Sequence, residues 1–273
     1  MATLRFTILG CGSSGGVPRL GGNWGDCDPE NPKNRRRRCS LLAQRITETG
    51  TTRVLVDTSP DMRDQLLGEG IGDLDGVVFT HPHADHVHGI DDLRMIVFNR
   101  RQMLDIWADD PTFDALQARF GYAFETPPGS SYPPILRRHT LEGPIHVDGA
   151  GGALTLLPIP VGHGDIDALG LRIGDLVYMP DVNTIPESSG WLLEGLQVWI
   201  LDSLRRTPHP SHFSYDEALA WFDKMKPRRG ILTNMHVDLD YATVAAETPD
   251  YIEPAYDGLT LDLPDDPQSK LSA

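Results

Sequence analysis

The sequence predicts a mixed α/β fold, with two β-sheets covered by helices in a single domain over residues 1–273. Three observations predict it. Short apolar runs bounded by Gly, Pro and Asp recur through both halves, as buried strands do. Segments with helical spacing lie between these runs rather than gathering at one end. No internal repeat and no long linker interrupts the series.

Taken in order, Arg5 to Gly10 reads as a first strand, followed by the Gly/Ser turn CGSSGGVP. That turn lacks the Lys-Ser/Thr of a phosphate-cradling loop. The polar stretch Gly21 to Arg38 ends in four arginines, Arg35 to Arg38, read as a solvated or ion-paired surface segment. Ser40 to Ile46 and Arg53 to Asp57 read as two paired strands. Asp57-Thr58-Ser59-Pro60 then breaks the chain before a short helix over Asp61 to Leu67. Leu74 to Phe79 is a buried strand and Ile90 to Gln102 begins as a helix. Leu104 to Ala108 is a strand, and Pro111 to Phe120 is a helix opened by its proline.

Glu125 to Arg138, rich in Pro, Gly and Ser, reads as a surface loop and candidate lid. Leu154 to Pro160 is a strand with His163 in the turn after it. Leu169 to Ile173 and Leu176 to Met179 form a hairpin about Gly174-Asp175. Val198 to Leu201 ends at Asp202. The stiff loop Pro208 to His212 follows, then a helix opened by a capping box at Ser214 and Glu217. Gly230 to Thr233 is a last strand before His236, and the tail over 264–273 reads as loose.

The formal net charge of -15 disfavours nucleic acid as a general partner, because such a surface repels polyanions. A local cationic or metal field would still admit a small anion. Cys11, Cys27 and Cys39 are too few for a disulfide framework. The start MATLRFTILGCG lacks the basic segment and long apolar run of a signal peptide, and no stretch reaches membrane-spanning length. The expectation is a reduced, cytoplasmic protein with no membrane partner.

The chemistry is concentrated in FTHPHADHVHGIDDLR, Phe79 to Arg94, where His81, His83, Asp85 and His86 form HxHxDH. Imidazole and carboxylate at that density suit zinc, manganese or iron. Packing such groups together without metal would strand expensive polar atoms. The same pattern, a strand and then His or Asp at its carboxyl end, recurs at His163, Asp181 and His236. Two divalent ions need about six or seven ligands with one carboxylate shared, and the sequence supplies that number.

On these residues the chain resembles the metallo-β-lactamase superfamily of hydrolases. The resemblance implies a four-layer αββα sandwich with a two-metal site along one edge. It implies one metal held by His81, His83 and His163, a second by Asp85, His86 and His236, and Asp181 bridging. Asp57 is similar to the superfamily's aspartate standing behind the ligands. LGCGSSGGVP, RRRRCS, GIDDLR and the His-bearing loop before the Ser214 helix resemble, more closely, the phosphoribosyl cyclic phosphodiesterase branch. There a histidine just before such a helix protonates the leaving oxygen. His212 fits that place and His209 competes with it. One departure stands out. The branch's structural zinc needs a cysteine cluster and a histidine three residues past the last ligand, whereas this chain has Cys27 and Leu239. No structural zinc is expected.

The implied reaction is hydrolysis of a small phosphodiester, a cyclic ribosyl or nucleotide phosphate, by a metal-activated water. His212 would act as general acid, held by Asp202, and Asp85 would also orient the nucleophile. The competing functions are thioester or lactone hydrolysis, tRNA 3′ processing, and a nucleotide-binding non-enzyme. The expected cofactors are two divalent ions, zinc or manganese, and the class allows a homodimer.

Overall fold

The computed structural model describes residues 2–265. The described chain forms two compact units. One is built on Ser40–Thr155 with Thr260–Asp265 and the residues up to Thr7, and the other on Ile8–Cys39 and Leu156–Leu259. The strands are β1 (Thr3–Gly10), β2 (Ser40–Thr47), β3 (Gly50–Val56), β4 (Gly76–Val78), β5 (Leu104–Ala108), β6 (Leu136–Thr140), β7 (Ile145–Val147), β8 (Leu154–His163), β9 (Ile166–Ile173), β10 (Leu176–Met179), β11 (Val198–Asp202), β12 (Arg229–Thr233), β13 (Ile252–Pro254) and β14 (Leu259–Pro264). They make two seven-stranded sheets, ordered β14-β1-β2-β3-β4-β5-β6 and β13-β12-β11-β10-β9-β8-β7. The helices are α1 (Met62–Gly68), α2 (Ala84–Val87), α3 (Leu93–Arg100), α4 (Asp110–Phe120), α5 (Tyr215–Met225) and α6 (Tyr241–Glu247). The expected mixed α/β fold with two sheets is the observed one.

Each sheet carries a run of parallel strands, β3 to β6 in the first and β10 to β13 in the second. Those buried on both faces read as continuous apolar runs, Val54-Leu55-Val56 and Val198-Trp199-Ile200-Leu201 among them, whereas β6 at the sheet edge exposes Arg137 and Arg138. Their carboxyl ends all point one way within each sheet, so the residues just beyond them gather. Asp57 and Thr80 follow β3 and β4, whereas Asp181, Asp202 and Asn234 sit at or just past the ends of β10, β11 and β12. In each sheet the edge at those carboxyl ends is where α/β sheets build sites.

Several expectations are corrected. The strand read over Leu74 to Phe79 is shorter, Gly76–Val78. At its start the Asp75 carboxylate takes the Arg53 N–H at 2.8 Å, although the Asp75 and Phe79 N–H groups still donate to the Arg53 and Trp107 carbonyls. Asp85 and His86 sit on a single turn of helix, α2. His163 ends β8 rather than lying in the turn after it. The loop read over Glu125 to Arg138 ends early, because Ile135 and Leu136 are buried and β6 begins at Leu136. The arginine run is not wholly superficial. Arg36 is 2% exposed, among the largest fully buried side chains. Of the tail read as loose, Pro264 closes β14 and Asp265 ion-pairs with Arg45 at 2.6 Å, while 266–273 lie outside the described residues. The Ser214 capping box forms with both of its hydrogen bonds. Among the described residues no helix is long and apolar enough to cross a membrane.

Candidate metal centre

In the first unit the chain turns at Asp57, whose backbone is left-handed (φ 63°) although it is not glycine. Three donors hold its fully buried carboxylate. The Thr80 N–H reaches Oδ1 at 2.7 Å, the Thr80 hydroxyl reaches Oδ2 at 2.8 Å, and His86 Nδ1 reaches Oδ2 at 2.8 Å. Burial pushes the Asp57 carboxyl up, and His86 and Thr80 pull it back. With Nδ1–H donated to Asp57, the His86 lone pair lies on Nε2, the tautomer a metal ligand needs.

His81 and His86 are buried and His83 is exposed. The His81 ring centroid lies 4.6 Å from that of His83 and 4.2 Å from that of His86. Asp85 joins them, its Oδ2 3.5 Å from His86 Nε2. This turn is stapled to the backbone before α1. Thr58 N–H donates to the His86 carbonyl at 2.8 Å and Gly89 N–H to the Thr58 carbonyl at 2.9 Å. Gly89 cannot be larger, since a Cβ there would come 2.2 Å from the Ser59 carbonyl oxygen.

The second unit holds a matching group. One ligand atom from each of His163, Asp181 and His212 lies within 4.8 Å of the others. His163 Nε2 is 3.6 Å from Asp181 Oδ2, and its Nδ1 donates to the Ser211 carbonyl at 2.6 Å. The Pro208–Ser211 loop therefore sets the orientation of His163. Asn183 ties the two together. Its amide donates to the Pro210 carbonyl at 2.7 Å, and its Oδ1 accepts from Gly164 N–H at 3.1 Å.

His212 Nδ1 donates to Asp202 Oδ2 at 2.8 Å. Asp202 is fully buried and also accepts from Val182 N–H at 3.0 Å and from the Asn234 amide at 3.2 Å. Burial raises the Asp202 carboxyl and His212 opposes that rise. His209 is turned onto its own loop, where its Nδ1 accepts from the Ser211 hydroxyl at 3.1 Å, and burial lowers its pKa. His236 joins no three-residue group among the described residues; its Nδ1 faces Asp238 Oδ1 at 3.3 Å.

The turn carrying His236 is anchored by the buried Arg36. Its Nη2 donates to the Leu239 carbonyl at 2.7 Å and its Nη1 to the His236 carbonyl at 3.3 Å. Asn34, also buried, donates to Asp240 Oδ2 at 2.6 Å and accepts from Tyr241 N–H at 2.7 Å. Side-chain hydrogen bonds thus tie the segment before β2 to the start of α6.

Both groups offer nitrogen and carboxylate donors in the proportion that zinc or manganese takes, and His86 and His163 each spend Nδ1 on an acceptor behind the ring. The donor chemistry fits divalent metal. Sequence reading missed Thr80, Asn183, Ser211 and Asn234. Only Asn234 left a signal, as an Asn directly after a buried strand; in the structure its backbone is left-handed (φ 60°).

Residues 52–235 match the family described as beta-lactamase superfamily domain. The chain belongs to that superfamily. A solved diphosphatase of the PhnP family is similar to this superfamily member, with 33% identity, a TM-score of 0.84 and coverage of 96% of this chain and 98% of that one. The metallo-β-lactamase fold protein YhfI from Bacillus subtilis shares the fold at 16% identity and a TM-score of 0.69, over 96% and 100% of the two chains. So does human tRNase Z, short form, at 14% identity and 0.62, over 95% and 99%. An octanoyltransferase from Porphyromonas gingivalis is 33% identical over 261 residues, 94% of this chain and 51% of that protein. The chain therefore spans about half the length of the curated relative it matches.

Proposed function

We propose that this superfamily hydrolase cleaves a small phosphate ester at phosphorus, with His212 as general acid. One observation carries the reading. His212 is 14% exposed and backed by the fully buried Asp202 at 2.8 Å, in the same group as His163 and Asp181. Asp202 favours the imidazolium, so Nε2–H is the proton available to a leaving alkoxide. Hydrolysis of a thioester, whose thiolate leaves unaided, has no need of a strong proton donor on that side.

In this reading one divalent ion would be held by His81, His83 and His163 and a second by Asp85, His86 and His236, with Asp181 available to either. Such ions neutralise charge on the phosphoryl oxygens and lower the pKa of water. Asp57 and the Ser211 carbonyl orient the ligands His86 and His163. Asp85 both binds and orients, and His209 supports the acid loop.

The candidate substrates are cyclic ribosyl or nucleotide phosphates and, by similarity to the PhnP-family diphosphatase, diphosphates. The charge of -15 speaks against tRNA as substrate. Three buried, free cysteines fit a reducing cytoplasm. The test is a substrate panel on protein loaded with zinc or manganese. Bis(p-nitrophenyl) phosphate, a 2′,3′-cyclic nucleotide and a dinucleoside diphosphate are assayed against a glutathione thioester and a lactone. Phosphate-ester turnover abolished by chelation is expected. Turnover confined to the thioester or lactone would refute the reading.

A further inference from the structure

Helix α4 ends beside the metal loop. Arg119, in its last turn, donates from Nη1 to the Pro82 carbonyl at 2.6 Å. Pro82 is the residue between His81 and His83, so a guanidinium is held on the backbone that carries two ligands. Several other arginines of this unit are spent on carboxylates. Arg94 faces Asp91 at 3.1 Å, Arg100 faces Asp75 at 2.9 Å, and Arg137 faces Asp105 at 3.1 Å. Arg119 has no carboxylate partner among the described residues, and its side chain is exposed.

A guanidinium has five N–H donors, and the Pro82 carbonyl takes one. The rest form a planar fork suited to two oxygens of a phosphoryl group. In a chain of net charge -15, a cation without a carboxylate partner is where an anion can settle. Beside it, the Phe120 ring meets the exposed His88 ring edge-on at 5.8 Å, which adds an aromatic wall and a further N–H donor.

We propose that Arg119 receives a second, non-scissile phosphoryl group of the substrate. The preferred class is then a diphosphate diester, with two phosphoryl groups in series, rather than a single cyclic or linear phosphodiester. This rests on the reaction proposed above and narrows its substrate. The Pro82 carbonyl aims the guanidinium, so metal loop and phosphate receptor are positioned as one piece.

The test compares wild type with Arg119→Gln and Arg119→Lys, all metal-loaded. Because the side chain is exposed, the variants should fold, and metal content is measured on each. For Arg119→Gln, kcat/KM on a dinucleoside diphosphate is expected to fall about 10- to 100-fold, mainly through KM. That loss should exceed the loss on bis(p-nitrophenyl) phosphate at least about tenfold, and Arg119→Lys should recover part of it. Independently of turnover, calorimetry should show inorganic pyrophosphate binding weakened about tenfold in Arg119→Gln, with inorganic phosphate affected much less. Equal losses on both substrates together with lost metal would mean that Arg119 only props the Pro82 loop, and would overturn the proposal. So would unchanged pyrophosphate binding. If wild type cleaves no phosphate ester, the reaction fails as a reading, and the pyrophosphate comparison still decides the role of Arg119.

Discussion

Two buried aspartates stand behind two histidines at the same distance, and on the reading proposed above the two pairs do different work. Asp57 reaches His86 and Asp202 reaches His212, each at 2.8 Å. Each aspartate is fully buried, each has its carboxyl raised by that burial, and each is steadied by two further donors. What differs is the histidine. The His86 side chain is 0% exposed, whereas that of His212 is 14% exposed. A sealed imidazole with a fixed tautomer suits a permanent ligand. A partly open one, with the same support behind it, suits a group that gives up a proton and takes it back.

The sharpest way to break this comparison is to remove the open histidine. His212→Ala is expected to lower kcat about 10²- to 10⁴-fold on a phosphodiester with a poor leaving group, with metal content kept. His209→Ala, on the same loop, should cost less than about tenfold, because its Nδ1 is engaged within the loop. Equal effects would remove the distinction between them. On the sealed side, Asp57→Asn is expected to weaken metal binding about 10- to 100-fold, measured by competition with a chromophoric chelator. Asn234→Ala takes one donor from Asp202 and should cut turnover by less than about tenfold. A shifted acidic limb in the pH–rate profile would accompany that loss.

The smallest effect concerns a carboxylate outside both pairs. Burial pushes Asp240 up, but the Thr243 and Asp28 N–H groups, the Asn34 amide and the Thr243 hydroxyl outweigh it and hold the group at about 2, against an ordinary 3.8. A depressed carboxyl stabilises the fold above its unfolded value, and that stability is lost as pH falls toward the folded value. Asp240→Asn should therefore cost about 2 kcal/mol near pH 7. The difference should shrink as pH is lowered from about 4 to about 2, read by denaturant unfolding at each pH. A pH-independent difference would show that capping, not charge, accounts for the cost.

Much of the candidate site was legible in the sequence because its side chains are poor core material in a dense pattern. HxHxDH after an apolar run has few other uses, and His163 ends a strand while Asp181 and His236 each follow one. Asp57 was visible as the break after β3. What stayed hidden is work done by backbone and by geometry. No residue letter shows that the Ser211 carbonyl orients His163, or that Asn234 adopts a left-handed backbone to reach Asp202. A helix of four residues such as α2 is too short to announce itself by periodicity. Arg36 was misread because a run of like charges suggests solvent. In extended backbone, however, alternate side chains face opposite ways, and Arg36 pairs as a bridge with Val17 and points inward.

The central claim is that one Asp–His pair holds metal and the other moves protons. Metal content and turnover measured side by side on Asp57→Asn and Asp202→Asn test it most directly. The account predicts that Asp57→Asn loses metal and recovers turnover when metal is added in excess. It predicts that Asp202→Asn keeps its metal and stays slow at any metal concentration. Loss of metal from both variants in equal measure, with full recovery of both on adding it back, would contradict the claim.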